Sequence, residues 1–327
     1  MDQRQASGEE ERDDGIQGAA PIMRVAGITV YLHWSWLLVA LILVQNSFGH
    51  YSSLLFRVLE YLSIFGLVLL HEFGHSLACR SVGGKADRIM LWPLGGVAFV
   101  QPPQRPGATL WSIAAGPLVN VVMVLLLYVS GLWLRDFGVW ETNPNLHELG
   151  VSVFVINIGM LMFNLWPIYP LDGGQILRSL LWFVFGRANS LLIAVIIGFL
   201  GVGLLVALAA MKFLVNGFVG GVSTMWLVII AVFMLMSCWR GLLSALALAR
   251  LERIPRHKGA ACPGCGEAPM IGRYWDCNRC HTRFDTFETN AACPGCGTVF
   301  LTTLCQQCGE SSPMAAWKKT AHEKKKW

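Results

Sequence analysis

Two histidines and a glutamate are spaced for metal chemistry in the HEFGH segment that begins at His71. Residues four apart on a helix share a face, so His71 and His75 can bind one zinc ion. Glu72 lies beside the first ligand, where it can act as general base toward a water activated by the metal. The segment ends an uncharged apolar run that begins at Tyr61. Because ionisable side chains are costly at membrane depth, the setting predicts hydrolytic chemistry inside a bilayer. Histidines satisfied within a protein core are the simpler alternative.

A catalytic zinc site usually has three protein ligands and an open fourth position, so a further ligand is required. The best candidate is Asp172, which follows two prolines at the end of a later apolar segment. An aspartate at that depth is expensive unless it meets a cation. The alternative interpretation is an aspartate in a water-exposed loop.

The composition predicts a membrane protein, because 54% of the 327 residues are hydrophobic and only 14% are charged. Each uncharged stretch exceeds the roughly 20 residues that a membrane-spanning helix needs. These stretches are Val25–Phe56, Pro106–Leu134, Leu149–Leu171, Ala188–Met211 and Phe213–Trp239. With the segment that ends in HEFGH, they predict an α-helical polytopic membrane protein with about six transmembrane helices. One such run could be a buried helix of a soluble protein, but five could not.

Two further elements are predicted beside these helices. Residues 81–101 alternate apolar side chains around a Gly/Pro turn, which predicts a membrane-associated β-hairpin. Gln175–Gly186 follows a Pro- and Gly-rich loop and reads as an amphipathic helix at the interface.

Charge asymmetry predicts the orientation in the membrane, since six spans place both termini on one side. That side would carry most of the basic residues near helix ends, namely Arg80, Lys85, Arg88, Arg105, Arg178, Arg187, Arg250, Arg253, Arg256 and Lys258. The opposite side would carry Arg57, Arg135 and Lys212. By the positive-inside rule, both termini are expected to be cytosolic, in a multi-pass protein of the cytoplasmic membrane.

Taken together, these motifs resemble the site-2 protease family of intramembrane zinc metalloproteases, peptidase family M50. The resemblance rests on the HEFGH segment, on the NLWPIYPLDGG stretch from Asn164 to Gly174, and on the Gly-Pro-x-x-Asn element that ends at Asn120. It also includes the Pro-Leu-Gly-Gly turn at 93–96 and the Gly-Ile and His-Trp pairs at 27–28 and 33–34. It covers about residues 24–248.

The resemblance implies that His71, His75 and Asp172 bind a catalytic zinc ion and that Glu72 is the catalytic base. It implies cleavage of membrane-protein substrates within or near their transmembrane segments, as in regulated intramembrane proteolysis. Asn120 and Asn164 are candidates for support of the substrate or the transition state, with a hydrogen bond between helices as the alternative.

A substrate helix hides its carbonyls in hydrogen bonds, so it must unwind before cleavage. The hairpin at 85–100 offers an edge strand with which the unwound peptide could pair, although a structural plug is the alternative. A transporter or channel with a metal site is a rival function, but it has no need of the glutamate. A non-catalytic membrane scaffold is a third possibility, which the intact motif disfavours.

Eight of the ten cysteines form four CxxC pairs near the C-terminus. The first pair is Cys262/Cys265, the second Cys277/Cys280, the third Cys293/Cys296 and the fourth Cys305/Cys308. Such pairs are typical of zinc ribbons. The spacing predicts one structural zinc on the first and second pairs and another on the third and fourth. Ligands shared between the two halves, or His281 in place of a cysteine, are alternatives. Disulfides are disfavoured in the reducing cytosol.

All-cysteine sites are closed, so the ribbon is expected to be a regulatory or substrate-interaction module for a cytosolic protein partner. Its mixed charges disfavour nucleic-acid binding. The predicted cofactors are therefore one catalytic and two structural zinc ions. Composition predicts five regions: a disordered tail at 1–22, the metalloprotease domain at 23–250, a basic linker at 251–260, the tandem zinc ribbon at 261–310 and a basic tail at 311–327.

Overall fold

The structure is a computed structural model that describes residues 18–45, 49–92, 95–216 and 221–317. The chain divides into two compact units, residues 1–245 and 246–327. Most of the predicted disordered tail, the basic end from residue 318 onward, and Pro93 and Leu94 at the predicted hairpin turn lie outside the described residues.

Helices make up most of the first unit, which confirms the predicted fold class. The helices up to residue 252 are α1 (Ser35–Gln45), α2 (Leu54–Ser81), α3 (Pro106–Asp136), α4 (Val139–Thr142), α5 (Pro144–Leu165), α6 (Asp172–Phe185), α7 (Arg187–Asn216) and α8 (Gly221–Glu252). Five helices of the described part of the chain, α2, α3, α5, α7 and α8, are long and apolar enough to cross a membrane.

A four-stranded sheet packs beside these helices in the order β1-β2-β3-β4. Its strands are β1 (Ala19–Val25), β2 (Ile28–His33), β3 (Lys85–Trp92) and β4 (Gly95–Gln101). Strands β3 and β4 are antiparallel and form the predicted hairpin, whereas β2 pairs with β3 in parallel. The apolar cluster on the sheet includes Ile28, Ile89 and Leu91 and packs against Val68 of α2.

The hairpin of β1 and β2 was not predicted. Its turn has positive φ at Ala26 and Gly27, 49° and 74°, as the two central residues of a type I′ turn require. Residues 19–22, which composition assigned to the disordered tail, lie in β1, so that part of the prediction is wrong. The strand keeps mostly exposed side chains and is held by backbone pairing with β2, which residue composition does not reveal.

The first predicted span is not a continuous helix. Helix α1 has 11 residues, so at 1.5 Å per residue it covers about half of a hydrocarbon core of about 30 Å. Strand β2 precedes α1 in the chain. It begins at the C-terminal end of α2, where the guanidinium of Arg80 donates hydrogen bonds to the carbonyls of Ala26 and Gly27.

The chain then reaches the opposite end of α2. Between the two ends of α2, the hydroxyl of its Tyr61 donates to the carbonyl of Trp36 in α1 at 3.3 Å. The backbone N–H of Ser52 donates to Asn145 at 3.1 Å, next to the first residues of α2 and α5. Strand and short helix together therefore run alongside α2 between its two ends, in place of the predicted first spanning helix.

Close packing of α2, α3 and α6 brings the predicted site together. At Gly74 of α2, a Cβ atom would lie 2.7 Å from the carbonyl oxygen of Ala115 in α3, so the two helices need glycine to approach this closely. Gly173 and Gly174 likewise let α6 fold back onto the chain that precedes it. Helix α6 begins at Asp172, three residues before the predicted start, which places a carboxylate at a helix N-terminus.

Beyond α8, the described part of the C-terminal unit contains two small hairpins and one helical turn. They are β5 (Trp275–Asp276) with β6 (Arg283–Phe284), β7 (Thr302–Leu304) with β8 (Ser311–Pro313), and α9 (Met314–Trp317). Trp317 is 1% exposed and packs on Phe287 with ring centroids 5.0 Å apart. Residues 311–317 therefore belong to the ribbon and not to the predicted basic tail.

The predicted linker also contributes to this unit. The ring of His257 lies 2.9 Å from the buried carboxylate of Asp285, which further accepts the backbone N–H groups of Gly272 and Phe287. Burial alone would raise the pKa of Asp285, but these hydrogen bonds outweigh it and lower the pKa. The ribbon thus extends on both sides of the predicted bounds at 261 and 310, because side chains outside the cysteine pattern complete its small core.

Candidate metal centres

The first unit (the membrane unit, residues 1–245) brings His71, His75 and Asp172 together, as the sequence predicted. The Nε2 atoms of His71 and His75 lie 3.0 and 3.3 Å from Oδ2 of Asp172, and 3.1 Å from each other. Three ligands bonded to zinc at about 2.0 Å in a tetrahedron would lie about 3.3 Å apart. The three atoms therefore form a triangle of the size that a zinc ion requires.

The orientation of both rings favours a cation at the centre of this triangle. Nδ1 of His75 lies 2.9 Å from the backbone carbonyl of Ser112, which can only accept a hydrogen bond. His75 therefore carries a proton on Nδ1, and its Nε2 lone pair points toward Asp172. Nδ1 of His71 is hydrogen-bonded to the amide oxygen of Asn120 in the same way. Three lone pairs that converge in a buried site are stable when a metal ion or added protons lie between them.

Gly116 of α3 leaves the space that these rings occupy. A Cβ atom there would lie 2.9 Å from Cε1 of His71 and closer still to Nε2 of His75. The glycine of the Gly-Pro-x-x-Asn element is therefore required by the packing of the two candidate histidine ligands.

The variant Gly116→Ala is expected to lose zinc at the membrane site, because the added methyl group pushes both imidazole rings away from Asp172. The zinc content of the purified full-length chain in detergent would measure this loss. Gly131→Ala is a matched control on the same helix, since a Cβ there meets its nearest neighbour at 3.9 Å. Equal zinc content in the two variants would contradict the role of Gly116.

Glu72 is buried on α2 and stays outside the group of three ligands. Its Oε2 accepts the backbone N–H of Ala98 in β4 at 2.8 Å. A Cβ at Gly96 would overlap the side chain of Glu72, so the hairpin touches the candidate base directly. The sheet therefore contributes to holding this carboxylate next to the three candidate metal ligands.

The two predicted supporting asparagines have different environments. The side chain of Asn120 is 1% exposed, and its amide nitrogen donates to Oδ1 of Asn157 at 2.7 Å while its oxygen faces His71. Both ends of the Asn120 amide are therefore hydrogen-bonded, and its role toward the substrate stays a prediction. Asn164 is half-buried and takes no part in this network. Asn157 was missed, although an amide within an uncharged span is a signal that could have identified it.

The cysteines of the C-terminal unit form two groups of four that differ from the predicted ones. The first pair meets the fourth, with Sγ atoms of Cys262 and Cys308 3.7 Å apart and those of Cys265 and Cys305 3.8 Å apart. The second pair meets the third, at 3.5 and 3.6 Å. Four thiolates bonded to zinc at about 2.3 Å would lie about 3.8 Å apart. The predicted grouping of neighbouring pairs is wrong. In the sequence, the second and third pairs, which form one group, lie between the first and fourth pairs, which form the other, so the two groups are nested.

The four CxxC turns have the same local structure, so the turns themselves do not determine which two of them share an ion. In each turn the first cysteine of a pair accepts the backbone N–H of the residue after the second cysteine, and donates its own N–H farther along. That residue is glycine in three turns, with φ between 70° and 75°, and His281 with φ 56° in the fourth. His281 is thus a turn residue outside both groups of cysteines.

Comparison with known proteins finds several curated relatives that are named as zinc metalloproteases. The sequence profile of Peptidase family M50 matches residues 60–141 and 138–208. A zinc metalloprotease of Methanocaldococcus jannaschii is 33% identical over 178 residues, which are 54% of this chain and 50% of that protein. Rip3 of Mycobacterium tuberculosis, named as a candidate zinc metalloprotease, is 27% identical over 234 residues, 67% of this chain and 57% of that protein. The chain therefore spans about half the length of the curated relatives that it matches.

One solved structure, a site-2 protease from Methanocaldococcus jannaschii, is similar in fold. It aligns with 68% of this chain and 95% of its own length, at 24% identity and a TM-score of 0.47.

Proposed function

Because the chain belongs to peptidase family M50, the site-2 protease family, we propose that it is an intramembrane zinc metalloprotease. Its substrates would be membrane proteins, hydrolysed at peptide bonds within or near their transmembrane segments. The observation that carries this proposal is the triangle of His71, His75 and Asp172, with Glu72 beside it on α2. A transporter would need the ligands but not a buried carboxylate held next to them.

The residues of the site have separate tasks in such a reaction. Zinc, when bound, supplies a Lewis acid that activates water and polarises the peptide carbonyl. His71, His75 and Asp172 would hold it and leave a fourth position open. Glu72 takes a proton from the attacking water and returns it to the nitrogen of the leaving amine, so that the C–N bond breaks without a charged leaving group. The N–H of Ala98 keeps the carboxylate of Glu72 turned toward the hairpin between these transfers.

An unwound substrate has a place to bind next to Glu72. Strand β4 is an edge of the sheet, and the N–H of Ala98 points away from its partner β3. Pairing of an extended peptide with this edge would bring its carbonyl groups past the base. A hairpin that only plugs the site is the alternative, and it would tolerate proline along the outer side of β4.

The proposal also covers the zinc ions of the ribbon and the orientation of the chain in the membrane. Each group of four thiols suits one structural zinc, so a fully loaded chain would hold one catalytic and two structural ions. A crossing made by β2 and α1, added to the five long helices, would place both termini on one side. The distribution of basic residues would make that side the cytosol. There the ribbon would bind a cytosolic protein and regulate access to the membrane site.

Zinc counting combined with cleavage tests this function. Asp172→Asn is expected to lower the zinc content of the full-length chain by about one ion per chain and to abolish cleavage of a co-expressed single-span membrane protein. Asp136→Asn, at the exposed end of α3, is the matched control and should change neither. Unchanged zinc content and cleavage in Asp172→Asn would remove Asp172 from the site.

A further inference from the structure

Two buried asparagines from different helices lie behind His71. Asn120 of α3 and Asn157 of α5 are 1% and 0% exposed. Buried amides are costly unless their groups are paired, so the pattern of pairing between these two is informative. Their hydrogen bonds run in sequence from a backbone carbonyl to the ring of His71.

The direction of each hydrogen bond follows from the first. The backbone carbonyl of Asn120 can only accept, so the side-chain nitrogen of Asn157, 3.0 Å away, must donate to it. The oxygen of the same Asn157 amide then faces the nitrogen of Asn120 at 2.7 Å. The oxygen of the Asn120 amide is thereby turned toward Nδ1 of His71, which must carry a proton.

Reversing Asn120 is costly in this arrangement. Its oxygen would face the oxygen of Asn157, and its NH2 group would face the protonated Nδ1 of His71. Both hydrogen bonds would be lost, and the proton of His71 could move to Nε2, the atom that faces Asp172. An imidazole with a proton on Nε2 cannot bind a metal through that atom.

His75 needs no such arrangement, because the backbone carbonyl of Ser112 accepts directly from its Nδ1. A backbone carbonyl cannot be reversed, whereas a side-chain amide can present either end. At His71 the acceptor is a side-chain amide, and a second residue is required to fix its orientation.

We propose that Asn157 is a positioning residue that acts through Asn120 to keep His71 in the tautomer whose Nε2 binds zinc. The inference rests on the proposed function, since it takes His71 to be a zinc ligand. It assigns a task in metal binding to a residue that touches neither the metal ligands nor the base. A hydrogen bond that merely joins α3 to α5 is the competing explanation.

The first test is Asn157→Leu, which keeps a similar volume and removes both the donor and the acceptor. Zinc affinity at the membrane site is expected to fall about 10- to 100-fold, the range typical for partners of metal-binding histidines. It would be measured on the full-length chain in detergent by competition with a chelator that leaves the cysteine sites loaded. Gly159→Ala, on the same helix at a position where a methyl group meets nothing within 4 Å, is the control.

The second test adds Asn120→Asp to Asn157→Leu. A carboxylate presents an oxygen to His71 in either orientation, so the double variant no longer needs Asn157. Zinc affinity is expected to return to within a few-fold of the parent chain. If Asn157→Leu binds zinc as the parent does, or if Asn120→Asp fails to restore affinity, Asn157 is only a contact between helices and the proposal is overturned.

Two further variants keep the outcomes separate. Asn157→Asp retains an acceptor for the amide nitrogen of Asn120 but offers the backbone carbonyl no donor. It replaces Asn157→Leu if that variant does not accumulate. Its zinc affinity is expected to stay within about threefold of the parent chain, and a larger loss overturns the proposal. His71→Ala tests the premise. If that variant keeps the membrane zinc, the proposed metal site is wrong; if it loses the zinc while the Asn157 variants bind normally, only the positioning role is wrong.

Discussion

Replacement of Glu72 by glutamine is expected to abolish peptide hydrolysis while zinc stays bound at the membrane site. Glutamine has nearly the same volume and can still approach the N–H of Ala98 through its side-chain oxygen. It cannot accept a proton from water at neutral pH. Removal of a general base typically costs about 10²- to 10⁴-fold in rate, so cleavage in Glu72→Gln should fall below detection in a cell-based assay.

The measurement pairs two readouts on the same preparation. Cleavage of a co-expressed single-span substrate reports the reaction, and the zinc content of the purified chain reports the ligands. Glu141→Gln, at an exposed position of the short helix α4, controls for the loss of a carboxylate elsewhere in the unit. Normal cleavage by Glu72→Gln would exclude Glu72 as the base, whereas loss of zinc would show that it supports the ligands instead.

The same variant can identify substrates. An enzyme that binds but does not cleave should retain membrane proteins that the parent chain releases as fragments. Partners captured from native membranes by Glu72→Gln, and absent from Asp172→Asn, would depend on an assembled site and would therefore be substrate candidates.

The site residues were predictable because each follows from a local or chemical requirement. His71 and His75 are four residues apart on one helix, a spacing that needs no knowledge of the fold. Asp172 lies about a hundred residues away, but zinc chemistry demands a third ligand and burial makes an unpaired carboxylate expensive there. The hairpin before α3 was predictable for a similar reason, since its strands are neighbours in sequence and alternate in hydrophobicity.

What could not be predicted depends on contacts between distant segments. The parallel pairing of β2 with β3 joins residues about sixty positions apart, and the sequence of neither strand indicates which strand it pairs with. That pairing makes the predicted first span part strand and part helix, although its sequence is one apolar run. The hydrogen-bond partner of Asn157 could not be predicted, because a single amide in an apolar helix has many possible partners; the structure pairs it with Asn120.

The grouping of the cysteines is the clearest example of a contact that the sequence does not predict. Four CxxC turns can be combined into two four-ligand sites in three ways, and each turn is locally the same. Proximity in sequence favours neighbouring pairs, since shorter loops cost less entropy to close. The aromatic core outweighs this difference: Trp275 and Phe284 lie around the inner group, while Trp317 packs beside the outer group.

Removing cysteine pairs two at a time should therefore separate the nested arrangement from the sequential one. Serine at the first and fourth pairs, Cys262, Cys265, Cys305 and Cys308, destroys one site in the nested arrangement and should cost the full-length chain one zinc ion. In the sequential arrangement the same four substitutions would damage both sites and cost two. Binding of a structural zinc contributes about 10–16 kcal/mol, so a damaged site should be empty and not merely weaker.

The complementary variant carries serine at the first and second pairs, Cys262, Cys265, Cys277 and Cys280. It leaves two ligands in each nested site and should lose two zinc ions, whereas the sequential arrangement predicts the loss of one. Zinc content per chain measures both variants, with the membrane site as an internal reference that neither should change. Loss of a single ion from this variant would contradict the nesting. The expected reversal between the two variants depends only on which turns share an ion, because each variant removes the same number of thiols.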